Sequence, residues 1–198
     1  VTTTLFSITE FKEHQGITSN DWNNVIGQLA VRVSAFCDIW CRRTLMAVAG
    51  DTIEYYDGSG SETLALARYP ILSVTSVHVD SSRFFEDSSL IPSSSYVFDR
   101  AGHLRLLPGL SGSPATWAKG IHNVKVRYRG GYETVPPDLK EAAILWAASI
   151  FHRRRAVGIT NETLGGYTAA YSQREMPPEA AAILKLYRQP MSTTRVPG

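Results

Sequence analysis

Apolar residues recur at Trp22, Ile26, Leu29, Val33, Phe36 and Trp40. This 4-3-4-3-4 spacing predicts a helix of about six turns over residues 21–43, with a bundle-type seam buried as core. Thr18, Ser19 and Asn20 are its N-cap candidates, and residues 1–18 read as an extended arm with a short helical or turn piece around Ile8 to Glu13. A second helical pattern covers residues 135–155. Pro136 and Pro137 suit its first turn, whose N–H groups have no intrahelical partner, and Gly158 supplies a stop. Asp138 and Glu141 complement the positive end of the helix dipole, and His152 to Arg155 the negative end. Leu139, Ala143, Trp146 and Ile150 form one apolar stripe, while Ile144, Ala147, Ala148 and Phe151 form another. A helix apolar nearly all round needs neighbours on two sides, supplied by this chain or by another copy of it. Trp22, Leu29, Val33, Phe36, Trp146 and Ile150 are the expected core anchors.

Between these helices the period changes from helical to alternating. Residues 52–56 and 62–67, separated by Asp57-Gly58-Ser59-Gly60-Ser61, read as strand, turn, strand. Residues 71–79 form a strand rich in β-branched residues, residues 80–95 a polar loop with room for a short strand, and residues 96–107 a hairpin. In the strand 123–128, Val124, Val126 and Tyr128 face one way, and Lys125, Arg127 and Arg129 the other. Residues 156–175 read as a long mobile loop, and Pro177-Pro178 opens a third helix reaching about Arg188, with Ala180, Ile183, Leu184 and Tyr187 on its buried side. The expected fold class is α+β. A small helical bundle (1–49 and 131–190) receives a β-rich antiparallel module (50–130) between its first two long helices, and a flexible tail covers 191–198.

Composition adds limits rather than chemistry. At 198 residues, with 43% hydrophobic and 19% charged residues, the chain fits one globular domain with an insertion. No apolar run approaches the roughly 18 residues of a membrane span, so a soluble protein in a cytoplasm is expected, with no membrane partner. The net charge of +2 hides an asymmetry: residues 1–99 carry 6 Lys/Arg against 12 Asp/Glu, and residues 100–198 carry 14 against 6. Such a split suits a polar tail, nucleic-acid contact or complementary surfaces between subunits, and equally charges that simply fall where solvent is. Cys37 and Cys41 lack the second ligand pair of a structural zinc site and read as buried free thiols, so no metal and no cofactor is expected.

The enzyme reading fails at each motif. Gly109-Leu110-Ser111-Gly112-Ser113 lacks the final glycine of a nucleophile elbow, and Gly58-Ser59-Gly60 lies between strands rather than before a helix. The five histidines (His14, His78, His103, His122 and His152) are scattered one per element. What remains are basic residues suited to protein or DNA contact. They are Lys125, Arg127 and Arg129 on the strand, Arg153, Arg154 and Arg155 at a helix end, and Arg188 and Arg195 near the C-terminus. Three arginines in succession point about 100° apart, so one should reach beyond its own helix end.

Certain strings carry a resemblance. Glu54-Tyr55-Tyr56-Asp57-Gly58, Leu66 through Tyr69-Pro70-Ile71 to Val74 and Val77, and Val124-Lys125-Val126-Arg127-Tyr128-Arg129-Gly130-Gly131-Tyr132 are three of them. Val135-Pro136-Pro137-Asp138-Leu139-Lys140 and Arg153-Arg154 follow. Over residues 19–188 the chain resembles the head–tail connector family of tailed bacteriophages, also called head-completion or adaptor proteins, and the related adaptors of gene transfer agents. The resemblance implies a structural virion protein of the neck, assembled in the host bacterial cytoplasm as a homo-oligomeric ring, commonly of twelve copies, below the portal protein. Such a ring extends the DNA channel, touches packaged DNA non-specifically and docks the downstream neck or tail-completion protein. The rival is a small nucleic-acid-binding module using the basic strand face and basic helix end.

Overall fold

The computed structural model describes residues 4–107, 114–154, 161–164, 167–170 and 176–189. In chain order the elements are α1 (Ile8–Gln15), α2 (Asn23–Cys41), β1 (Thr52–Gly58), β2 (Thr63–Ala65), β3 (Ile71–Val79), β4 (Tyr96–Phe98), β5 (His103–Leu106), β6 (Gly120–Gly130), α3 (Pro137–Arg153), β7 (Asn161–Leu164), β8 (Tyr167–Ala170) and α4 (Pro178–Leu186). The chain is a mixed α/β protein with antiparallel sheets. Its backbone groups into two compact units, one holding the chain up to Arg42 and then Val135–Arg188, the other Arg43–Thr134.

In the helical unit, the N-terminal residues are packed rather than extended. Ser7 and Glu10 form a reciprocal capping box that starts α1, and Gly16 in the left-handed region ends it. Leu5, Phe6 and Phe11 are buried, and the Leu5 N–H donates to Ser34 Oγ at 2.9 Å. The arm expected over residues 1–18 is therefore part of the core from Leu5 onward. The position that caps α2 is Trp22, without a side-chain bond. Of the expected caps, Ser19 turns its hydroxyl to Asp21, and Asn20 accepts from Lys12.

The buried line of α2 is Ile26, Leu29, Ala30, Val33, Ser34, Cys37 and Cys41, so the expected seam holds only in its first half. Phe36 and Trp40 are exposed, and Trp22 is half-buried. At about 100° per residue Phe36 projects about 20° from Leu29, and Trp40 between Leu29 and Val33, so their exposure reflects thinner cover at that end of the helix and not a change of face. On α3, Leu139, Ala142, Ala143, Ile144, Ala147 and Ala148 are buried, whereas Trp146 and Ile150 are only half-buried. Small alanines bring the neighbouring helices close, and the larger side chains fill the margins. Lys140 reaches Glu10 on α1, Phe36 of α2 packs on Trp146 with ring centres 5.7 Å apart, and the Tyr187 hydroxyl just past α4 donates to Asp138 at 2.6 Å. Within the expected loop 156–175, β7 and β8 pair as an antiparallel hairpin; the rest of that stretch, and the tail 191–198, lie outside the described residues.

In the other unit, β6 is the centre of a three-stranded sheet, β1-β6-β3, and β5 the centre of a second, β2-β5-β4. The strand–turn–strand expected over residues 52–67 is not a hairpin, because β1 pairs with β6 and β2 with β5. Residues 80–95 contain two single-turn 3-10 helices in place of a strand. The hairpin over residues 96–107 is present as β4 and β5. One apolar cluster joins the two sheets. Val77, Val124, Val126 and Tyr128 come from the first, and Leu64, Tyr96, Leu104 and Leu106 from the second, with Trp117 fully buried among them.

Candidate interaction surfaces

The strings that carried the resemblance build a buried polar network. Alternation on β1 and β6 turns Tyr56 and Tyr128 inward, where their hydroxyls lie 3.1 Å apart. Both donate to Glu54 Oε2, Tyr128 at 2.7 Å. The same two hydroxyls accept from the chain that crosses them: Ala67 N–H donates to Tyr56 at 2.9 Å, and Arg68 N–H to Tyr128 at 3.0 Å. Arg68 Nε closes the network on Glu54 Oε1 at 3.2 Å. Burial, and then the neighbouring Tyr128 and Glu54, push the Tyr56 phenol far up; burial and Glu54 do the same to Tyr128, so both remain donors. Arg43, itself buried, donates to the Tyr69 carbonyl and lies over the Tyr69 ring at 3.7 Å and the Tyr132 ring at 5.5 Å.

All three glycines of these strings, Gly58, Gly130 and Gly131, are required by close approach. A Cβ on Gly58 would stand 1.7 Å from the Ala118 carbonyl oxygen. Gly131 has a φ of 107°, and a Cβ there would meet Met46 and Ala47 backbone at 2.7 Å. The strings therefore shape and hold the β unit, and their side chains are committed to it.

The basic residues are mostly committed as well. Arg127 pairs with Asp51 at 2.9 Å and Arg129 with Glu133 at 2.9 Å, while the Lys125 ammonium lies 5.6 Å from the centre of the Phe85 ring. Arg153 Nε donates to the Ser149 carbonyl one turn back at 3.1 Å. The Arg154 guanidinium covers the Trp22 ring at 4.6 Å and the Phe151 ring at 5.4 Å, and that of Arg188 covers Trp40 at 5.3 Å. Arg155 and Arg195 lie outside the described residues, as does the Gly109–Ser113 string. Each of the described candidate cations is thus held by a partner of its own within its unit. The charge asymmetry of the sequence halves also dissolves in the fold. The helical unit has 10 Lys/Arg against 9 Asp/Glu, and Arg43–Thr134 has 9 of each.

What sequence reasoning missed is exposed apolar surface. On α2, Val31, Phe36, Ile39 and Trp40 face solvent, Ile39 being 73% exposed. In the β unit, Phe84 is 80% exposed and Ile121 71%. Exposed large apolar side chains grouped on one face mark interaction sites more than isolated ones do. Among the described residues, no group of three or more His, Cys, Asp or Glu side chains could hold a metal ion, and no helix is long and apolar enough to cross a membrane. Cys37 and Cys41 are buried and free, with burial pushing the Cys37 thiol well up.

A committed polar interior with apolar side chains left outside describes a protein that works through contacts. Residues 4–190 match the family model of head completion proteins. The chain belongs to that family. No curated protein matches its sequence. Among solved structures it is similar to a chain from the neck of an empty gene transfer agent particle computed with C6 symmetry, at 16% identity and a TM-score of 0.62, covering 100% of this chain and 97% of that one. A chain from the neck of the native particle computed with C12 symmetry is similar at 16% identity and 0.58, covering 96% and 92%. A chain from the virion of the native particle follows at 15% identity and 0.59, covering 98% and 92%. At these identities the likeness is one of fold. Head completion proteins are structural components of the phage neck, and this chain is one of them rather than an enzyme.

Proposed function

We propose that the chain assembles as a homo-oligomeric ring in the virion neck, below the portal, where it extends the DNA channel and docks the next neck or tail component. The observation that carries this reading is the match over nearly the whole length of both chains to chains from gene transfer agent necks, computed with C6 and with C12 symmetry, joined to the family membership. The exposed apolar face of α2 supports it, because a helix apolar beyond its buried line suits a neighbour from another copy. The basic residues serve protein contact and internal packing ahead of DNA. With Arg127 and Arg129 already in ion pairs, few phosphates could be neutralised by the strand face, which speaks against the rival of a free duplex-binding module.

The test is size-exclusion chromatography with light scattering, followed by electron microscopy, on the full chain with and without its portal. Closed rings, alone or on the portal, are expected, with duplex binding weak at physiological salt. A chain that stays monomeric with portal present, yet binds duplex DNA with a steep salt dependence, would overturn the reading.

A further inference from the structure

We propose that the exposed end of α2 is one half of the contact between copies, and that the Phe84–Asp87 loop of the next copy is the other half. The inference rests on the ring reading above and names the surfaces that would make it. Phe36, Ile39 and Trp40 present a contiguous apolar face over the last turns of α2. Three arginines stand on its rim, and the one carboxylate of α2, Asp38, is half-buried and already engaged. Arg32 stands one turn before Phe36 on the same face, Arg42 directly follows the helix, and Arg188 covers Trp40 at 5.3 Å. None of the three has an ion-pair partner among the described residues.

The second surface is a loop built to hold one aromatic outward. The Asp80 carboxylate accepts from the backbone N–H groups of Ser82 at 2.8 Å, Phe84 at 2.9 Å and Phe85 at 2.8 Å, and from the Ser82 hydroxyl at 2.6 Å. These bonds hold Arg83 and Phe85 in the left-handed region, with φ of 64° and 54°, and leave Phe84 standing 80% in solvent. An anchor already fixed in place loses little freedom on binding. Glu86 and Asp87 follow it, both exposed and without an ion-pair partner among the described residues; Arg83 is the loop's one cation.

Charge complementarity selects the occupant. An arginine-rimmed apolar face matches an aromatic anchor flanked by two carboxylates, and both belong to every copy. Face against face, as a two-fold dimer would place them, the arginines repel; face against loop, the signs agree. Two different patches meeting head to tail is the arrangement that generates a ring.

Complementation between two broken copies tests it. One full-length variant carries Ile39→Asp with Arg32→Gln, the other Phe84→Ser with Glu86→Gln. All four positions are exposed, and unchanged melting curves would show that both variants fold. Under conditions where the wild type assembles, alone or on portal, each variant alone should be monomeric by light scattering. Their mixture should give a one-to-one dimer and nothing larger, because one intact contact remains. A chain carrying both Arg32→Glu and Glu86→Arg should regain assembly. Wild-type rings with both variants still assembling would overturn this contact and leave the ring reading standing. Mixed dimers with a wild type that grows open chains would support the contact and sink the closed ring. A wild type that never assembles, together with a mixture that stays monomeric, would overturn both.

Discussion

The hydroxyls of Tyr56 and Tyr128 lie 3.1 Å apart and share one oxygen of the Glu54 carboxylate. Each also accepts a backbone N–H from the Ala67–Arg68 crossing, so two phenols join β1, β6 and the segment between the sheets. Tyr128→Phe keeps the ring packing but strands the Arg68 N–H and removes a donor from Glu54. The loss should be about 1–3 kcal/mol of unfolding free energy in urea titration, the usual cost of leaving a buried polar group unsatisfied. Tyr56→Phe should cost a similar amount, and the double variant less than the two together, because the groups share one network. Additive losses would show that the hydroxyls act independently.

This network was visible in the sequence as strings and invisible as a mechanism. Alternation placed Val124, Val126 and Tyr128 inward and Lys125, Arg127 and Arg129 outward, which is how they lie. Strand pairing was not legible, since the partner of β1 is β6, about 70 residues away, and local pattern favours the nearest run. Helix existence was legible from period and from the double prolines. The α1 capping box was equally available in Ser7 and Glu10, but the short helix beyond it lacks a long apolar stripe. The exposed apolar face of α2 could not be separated from core by spacing alone. Both halves of the helix are apolar, and only packing decides which one the chain covers.

Truncations along α2 should therefore divide by burial rather than by residue size. Leu29→Ala removes a buried side chain and should cost about 2–5 kcal/mol. Ile39→Ser, at 73% exposure, should change stability by less than about 0.5 kcal/mol. Thermal melts of both variants check this, and equal losses would mean that α2 is covered at Ile39 too.

Acid should act on the helical unit through Glu10. The bond from Lys140, then that from the Ser7 N–H, pulls its carboxyl down to about 2 from an ordinary 4.5. A carboxyl depressed in the folded state contributes stability that is fully present above its unfolded value and is lost as pH falls through the folded one. The window is thus from about 4.5 down to about 2. Both side chains are about a third exposed, so solvent screening keeps the contribution below about 1 kcal/mol. Glu10→Gln should flatten the stability–pH curve in this window and leave it unchanged at neutral pH apart from a small offset.

The loop that carries Phe84 has its own acid limit. Hydrogen bonds from the Ser82 hydroxyl and the Phe85 N–H lower the Asp80 carboxyl to about 2 from 3.8. Its hold on the loop should therefore persist through mild acid and weaken only as pH falls from about 4 toward 2. Asp80→Asn should raise hydrogen exchange at the Phe84 and Phe85 amides at neutral pH without lowering the melting temperature of the core. Unchanged exchange would mean that the positive-φ backbone holds itself.

The arginine run at the end of α3 separates in-chain packing from partner contact. Arg153 satisfies a carbonyl of its own last turn, and Arg154 lies 4.6 Å over Trp22 at the start of α2. A cation over tryptophan at a partly exposed site contributes about 0.5–1 kcal/mol, and a cation in the last turn adds about 0.3–1 kcal/mol through the helix dipole. Arg154→Gln should therefore lower stability by about 1 kcal/mol, while Arg154→Lys, which keeps the charge but loses the planar stack, should fall between. Assembly on the portal should survive both changes. If the melting temperature stays fixed and ring assembly fails instead, the guanidinium has left Trp22 for a neighbour in the assembled state. The contact with Trp22 would then be a resting position rather than the residue's working one.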